Sequence, residues 1–337
     1  MVEAMLFGAA ALLSAVITGV IRRQALARGM LDVPNARSSH SVPTPRGGGL
    51  GIVLVTVAGL ALLAWCGRLD LPLLLALTGG GLAVAAIGFI DDRRSVPATV
   101  RLLVHVAAAL WAVWWLGGLP PIRFGSDVYV FGLGGSVLAV MGIVWSLNLF
   151  NFMDGIDGIA GGEAVFMCLA AVLVAALAGS GTLNNPAALV LAGATAGFLF
   201  WNWPPARVFM GDVGSGFLGF ALAVLALAAA RTDPVALLVW SILGAFFIAD
   251  SGVTLVRRML RRARLHEAHR SHAYQHLAQR WQSHRRVTIA VLLGNLLWLL
   301  PCAVFGALHP GLAGYSALAA FVPAILIVIA LGAGRES

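Results

Sequence analysis

From residue 287 to residue 334 the chain carries no charged side chain, and from 164 to 206 there is none either. Shorter uncharged runs cover 4–21, 47–67, 71–90, 102–122, 128–153, 213–230 and 234–249. Inside a hydrocarbon layer every backbone amide must be satisfied within the segment, so continuous apolar runs of about 20 residues cross it as helices. Turn residues at Asn184-Asn185-Pro186 and at His309-Pro310 divide the two long runs. The sequence therefore predicts an all-α polytopic integral membrane protein, a single transmembrane domain over 1–337. About eleven transmembrane helices are expected, at 3–21, 48–66, 71–90, 101–117, 136–152, 164–179, 187–203, 214–230, 235–257, 287–305 and 313–332. Composition agrees, since only 11% of residues are charged, against about 25% in a soluble domain.

Glu3 precedes the first run and Arg22-Arg23 follow it. That charge order argues against a cleaved leader and for an N-terminus outside the membrane. Eleven crossings then leave the C-terminus cytoplasmic. All 22 basic residues are arginine, and on this topology only Arg68, Arg123 and Arg231 face outwards. The net charge of +8 thus belongs to inner loops that meet anionic lipid or an anionic substrate. Nucleic acid is not an expected partner, because the arginines lie at helix ends with no soluble domain to carry a binding face. Cys66, Cys168 and Cys302 are far apart and read as small buried hydrophobes.

Polar residues interrupt this pattern at a few places. Asn148-Leu-Phe-Asn151-Phe-Met-Asp154-Gly-Ile-Asp157-Gly158 ends the 128–153 run. Asn148 and Asn151 share a helix face, and Asp154 and Asp157 fall on the turn that follows. Interhelical hydrogen bonding would account for one amide but not for two amides and two carboxylates together. Asp91-Asp92 follow another apolar run and suit a divalent cation, a proton transfer or a solvated cap. Asp212 lies between glycines at the mouth of a span, as an N-cap or part of a metal site. Phe209, just before it, reads either as a stacking platform for a base or as an interfacial anchor. Loop 22–47 holds Arg37, His40 and Arg46 ahead of Gly47-Gly48-Gly49, either a basic connector or an anion cradle. Loop 258–286 is the most basic. His266, His269 and His272 recur every three residues, but Arg270 replaces the second histidine of an HExxH zinc motif. That loop is a basic amphipathic helix on the membrane face or a pyrophosphate-binding element. On the outer side, Ile122–Phe131 reads as a short β-hairpin. Asp250 and His105 lie inside spans and are equally well explained as paired polar groups.

On the expected topology Asp91-Asp92, Asp154, Asp157 and Asp212 all fall on the cytoplasmic side, together with the arginine and histidine loops. Carboxylates and arginines at one membrane face suit a divalent cation with a diphosphate, and Mg²⁺ leaves room for phosphate oxygens.

Five motifs in this order, Pro43-Thr44-Pro45-Arg46-Gly47-Gly48, Asp91-Asp92, the Asn148–Gly158 stretch, Pro205–Ser215 and His269-Arg270-Ser271-His272, carry a resemblance over nearly the whole chain. It resembles the polyprenyl-phosphate N-acetylhexosamine-1-phosphate transferases of the glycosyltransferase 4 type. The peptidoglycan branch has a different first motif and a denser histidine run in the last loop. The arginine–glycine form here looks more like the O-antigen-initiating enzymes of lipopolysaccharide synthesis.

The resemblance implies a cytoplasmic-face active site in the bacterial inner membrane. There, N-acetylhexosamine-1-phosphate would pass from a UDP-N-acetylhexosamine to undecaprenyl phosphate with release of UMP. It further implies Mg²⁺, with Mn²⁺ as a substitute, held by Asn151 and Asp212. Asp91, Asp92 and Asp212 are expected in catalysis. Asp154 and Asp157 would face the nucleotide and Phe209 the uracil. His269, Arg270 and His272 would meet the diphosphate or sugar, and Arg46 the lipid phosphate or sugar. Asn148 is expected at the substrate site or in helix packing. Related enzymes commonly form homodimers. A transporter or lipid flippase would instead place its charges mid-membrane in two matched halves, and a lipid-diphosphate phosphatase would ignore UDP-sugars.

Overall fold

The computed structural model describes residues 2–32, 42–124, 127–179, 186–262 and 270–335. Helices form wherever the charge-free runs fall. They are α1 (Val2–Ala27), α2 (Leu50–Trp65), α3 (Leu71–Asp91, with a π-turn at Ala76–Gly80), α4 (Ala98–Leu116), α5 (Gly132–Met153), α6 (Ile159–Ala178) and α7 (Pro186–Asn202). They continue as α8 (Asp212–Ala230), α9 (Ala236–Leu243), α10 (Ala245–Leu260), α11 (Ala273–Trp281), α12 (His284–Leu308) and α13 (Ala313–Ala330). Among the described residues eight helices are long and apolar enough to cross a membrane, and α2 and α7 are shorter apolar helices. The protein is an all-α, multi-pass membrane protein.

Against the eleven spans expected, the described residues hold eight full-length candidates, or nine if the bent 235–257 pair is one span. The 235–257 segment is two helices, α9 and α10, bent by 73°. Gly244 ends the first and starts the second. The break falls at Gly244, whose φ of −93° and ψ of 12° depart from helical values. The hairpin expected on the outer loop is present, with Ile122–Phe124 paired antiparallel to Asp127–Tyr129. A second small pair, Leu31–Asp32 with Thr44–Pro45, closes the base of the first loop. Of the cysteines, Cys168 is buried, Cys302 is half-buried, and Cys66 is exposed instead of buried.

Without a hydrophobic drive between helices in lipid, tight packing relies on small residues that let backbones approach. Helix α8 takes this furthest and forms the centre of the bundle: sixteen of its nineteen residues are buried. A Cβ added at Gly219 would strike the carbonyl of Ser146 on α5, and one at Gly214 would come within 2.7 Å of the Gly49 Cα at the start of α2. Between α1 and α7, Gly193 and Gly197 meet the carbonyls of Phe7 and Ala11 in the same way. The outer faces carry the large apolar side chains. Leu133, Leu297 and Leu326 are 89%, 70% and 60% exposed, as a lipid-facing surface requires.

This packing predicts opposite outcomes for two glycines near one interface. Gly219→Val overpacks α8 against α5 and should destabilise the detergent-solubilised protein by about 1–3 kcal/mol, read as a lower thermal midpoint. Gly142→Val on α5 meets open space and should leave that midpoint unchanged.

Candidate active site

At one end of the bundle the polar motifs converge on the start of α8. A helix begins with amide N–H groups that have no partner inside the helix. Here two of them find one carboxylate from elsewhere in the chain. Asp92 Oδ1 accepts from the Asp212 N–H at 2.9 Å, and Oδ2 accepts from the Val213 N–H at 3.2 Å. The sequence left open that Asp212 caps its own helix. Instead Asp92 caps it, and Asp212 is the first helical residue. Gly211 makes this approach possible. Its φ is +76°, and a Cβ there would collide with the Asp92 carboxylate.

The freed Asp212 side chain has two partners. Asn151 Nδ2 donates to Asp212 Oδ1 at 2.9 Å and to Ser215 Oγ at 3.2 Å. Arg101 Nη1 donates to Asp212 Oδ2 at 3.3 Å and to Asp91 Oδ2 at 2.6 Å. Asp91 is further occupied by the Val96 N–H, at 2.6 Å. Arg101 is a site residue that the motif reading missed. Its signal was a cation in the first turn of an apolar helix, the unfavourable end of the helix dipole.

Asp154 follows α5 directly and completes the cluster. Its carboxylate makes no hydrogen bond or ion pair among the described residues. Burial, with Asp212 and Asp92 close by, pushes it well above the usual carboxylate range. Asp92 is also pushed up by burial, against the pull of its two N–H bonds and of Arg46. Three crowded carboxylates raise one another's cost of ionisation, and a cation arriving with its ligand would relieve that cost.

The first loop and the loop before α8 are zipped together. Phe209 N–H donates to the Pro45 carbonyl at 2.8 Å, Gly48 N–H to the Phe209 carbonyl at 2.9 Å, and Gly49 N–H to the Met210 carbonyl at 2.9 Å. Arg46 is thereby set beside the cluster, in an ion pair with Asp32 at 2.6 Å. Asn202, buried and not singled out by sequence, joins two motifs. It accepts from the Gly158 N–H at 3.0 Å and donates to the Val208 carbonyl at 2.9 Å.

Beside the carboxylates opens a polar groove of about 760 Å³. Asp157, Phe209, Arg270, Gln279, His284 and Arg285 are among its lining residues. Asp157 Oδ2 accepts from the Ala206 N–H at 3.0 Å, and Oδ1 lies 3.3 Å from His284 Nδ1.

Two expected residues stand apart from the cluster. Asn148 donates to the Val144 carbonyl of its own helix at 2.7 Å. His272 is buried against Asp250, with Nδ1 3.3 Å from Oδ1. Asp250 also accepts the N–H groups of Ala273 and Tyr274, at 2.9 and 3.0 Å. This span residue, set aside in the sequence, is the anchor of the last loop. His269, like Arg37, His40 and His266, lies outside the described residues.

Residues 74–230 match the description "Glycosyl transferase family 4". A Bacillus subtilis strain 168 protein named as a probable undecaprenyl-phosphate N-acetylglucosaminyl 1-phosphate transferase is 30% identical over 295 residues. That match covers 86% of this chain and 81% of the relative. A Mycobacterium tuberculosis H37Rv decaprenyl-phosphate N-acetylglucosaminephosphotransferase is 30% identical over 328 residues, covering 84% of this chain and 78% of that protein. A phospho-N-acetylmuramoyl-pentapeptide-transferase of Heliobacterium modesticaldum is 38% identical over 195 residues, covering 53% and 57%. With these motifs gathered at one helix terminus and these likenesses along its length, the chain belongs to the polyprenyl-phosphate N-acetylhexosamine-1-phosphate transferase family.

Proposed function

We propose that the protein transfers N-acetylhexosamine-1-phosphate from a UDP-N-acetylhexosamine to undecaprenyl phosphate, releasing UMP, at the cytoplasmic face of the bacterial inner membrane. The product, an undecaprenyl-diphospho-sugar, would begin an envelope polysaccharide such as O-antigen. The observation that carries this reading is the crowding of Asp92, Asp154 and Asp212 at the start of α8, beside Arg46, Arg101 and an open polar groove. A nucleotide diphosphate with its cation matches that charge pattern.

The donor set suits Mg²⁺. It consists of oxygen and amide groups, and the half-buried Asp154 carboxylate has no hydrogen-bond or ion-pair partner among the described residues. Among those residues no group of three acidic, histidine or thiol side chains is placed to hold a metal ion. Mg²⁺ often takes only one or two carboxylates and fills its shell with phosphate and water. Asp212 and Asn151 would hold it, with Asp154 as a further oxygen. When bound, it would neutralise the diphosphate and favour departure of UMP.

The protein's own groups account for the remaining steps. A phosphate monoester has its second pKa near about 6, so the acceptor oxygen is largely ionised at neutral pH and needs little base. That oxygen attacks the β-phosphorus, and the bond from this phosphorus to the bridging oxygen of UMP breaks. Arg101 is fixed between Asp91 and Asp212, where it would counter charge that builds on the phosphoryl oxygens. The ion pair of Asp91 with Arg101 and the two N–H bonds of Asp92 at the start of α8 support a reading in which Asp91 holds Arg101 and Asp92 holds Asp212. Arg46 would receive the lipid phosphate. The sugar–oxygen bond stays intact, so anomeric configuration is retained.

Purified protein given undecaprenyl phosphate, Mg²⁺ and a panel of UDP-N-acetylhexosamines should release UMP in step with labelled sugar entering the lipid extract. Release of inorganic phosphate, or movement of intact donor without UMP, contradicts the reading. A pH dependence also follows. Burial keeps a proton on Asp154 well above the usual carboxylate range, and a cation must displace it. Binding of Mg²⁺–UDP-sugar, measured without acceptor, should weaken as pH falls towards the usual carboxylate range, where the donor diphosphate itself does not titrate.

A further inference from the structure

The Asp157–His284 pair carries an inference beyond the expected roles. The Asp157 carboxylate is fully engaged: Oδ2 takes the Ala206 N–H at 3.0 Å and Oδ1 faces His284 Nδ1 at 3.3 Å. The Asp157 main-chain N–H also points at His284 Nδ1, at 3.4 Å, and the Asp157 carbonyl accepts from Thr288 Oγ1 at 2.9 Å. Both neighbours, His284 and Thr288, sit in the first turns of α12, so that helix start is built around Asp157. Asp157 is 13% and His284 19% exposed.

Both contacts to His284 are made at Nδ1, one edge of the imidazole. The other nitrogen, Nε2, has no hydrogen-bond partner among the described residues, although His284 lines the 760 Å³ groove. With Nδ1 accepting from the Asp157 main-chain N–H, the proton of the neutral ring sits on Nε2, and the ring is held with that N–H free to serve a ligand. Phe209, Arg270 and Arg285 line the same groove, offering a flat apolar face and two cations. An aromatic surface, two guanidinium groups and an oriented imidazole together match a nucleotide.

We propose that His284 is a donor-binding residue whose Nε2–H meets an acceptor oxygen of the uridine nucleotide, and that Asp157 is a positioning residue acting through it. This rests on the transferase reading above. It differs from the role the family resemblance implied, in which Asp157 itself faces the nucleotide. A histidine at the first position of a helix ahead of two arginines carries no motif, which is why sequence reading passed over it.

Calorimetric binding of UMP separates the two nitrogens. His284→Asn keeps a polar atom where Nδ1 meets Asp157 but has nothing at Nε2. His284→Gln carries an amide N–H near the Nε2 position. UMP should bind about tenfold more weakly to His284→Asn and to His284→Ala, with His284→Gln partly restored. The KM for the UDP-sugar should rise alongside, while the KM for polyprenyl phosphate stays within about twofold. A loss shared by uridine puts the contact on the nucleoside, and a loss confined to UMP puts it on the phosphate; either supports the proposal. If His284→Asn binds UMP as the wild type does, the residue only braces Asp157 and the proposal is overturned. Wild-type protein that neither binds UMP nor releases it from any UDP-sugar would overturn the transferase reading instead.

Discussion

The carboxylate of Asp92 lies on the first amide groups of the most buried helix in the bundle, and the site is arranged around that contact. A carboxylate at a helix N-terminus is stabilised by the N–H groups and by the helix dipole, by about 0.3–2 kcal/mol. That gain helps offset the burial that pushes Asp92 up. The consequence for function is positional. With its backbone capped from outside, Asp212 projects its side chain toward Asn151 and Arg101. Gly211 and Gly88 are where this contact constrains the chain, because a side chain at either would strike Asp92 or the Asp212 carbonyl.

Two further supports converge on the same point. The glycine loop ahead of α2 is hydrogen-bonded to Phe209 and Met210 in the loop before α8, which ties Arg46 to the start of α8. On the other side, Tyr274 Oη donates to the Phe152 carbonyl at 2.9 Å, tying the last loop to the turn that carries Asp154. Asp250, buried beneath it, holds that loop by two main-chain N–H groups. A second polar pair lies deeper, where Asn295 Nδ2 donates to Glu163 Oε2 between α6 and the π-turn of α12. It braces α12, whose first turn presents His284 and Thr288 to Asp157.

Much of the fold was legible, because the signal was simple: charge is excluded from lipid, and each uncharged run became helix. The exception is instructive. Nothing in the apolarity of 235–257 marks the 73° bend, which depends on one glycine and the packing around it. The site was legible as a set of residues but not as a set of contacts. Asp91, Asp92, Asn151, Asp154 and Asp212 could be named because acids and amides are costly at a membrane edge. That Asp92 caps a helix 120 residues away is a long-range contact no local pattern records. Arg101, Asn202 and His284 are single polar residues without motif spacing, visible only once the loops are brought together. Asn148 shows the converse: it shares a face with Asn151, yet it bonds within its own helix while Asn151 reaches Asp212.

The central claim is that Asp212, freed by the Asp92 cap, is where the cation and diphosphate are received. The most direct measurement is the rate of UMP release against Mg²⁺ concentration for Asp212→Asn in membranes or detergent, at equal folded protein. The account predicts a fall of about a hundredfold or more that added Mg²⁺ does not recover, in the range lost when a charge-stabilising group is removed from a reacting centre. Near-wild-type, Mg²⁺-dependent release by Asp212→Asn would contradict it.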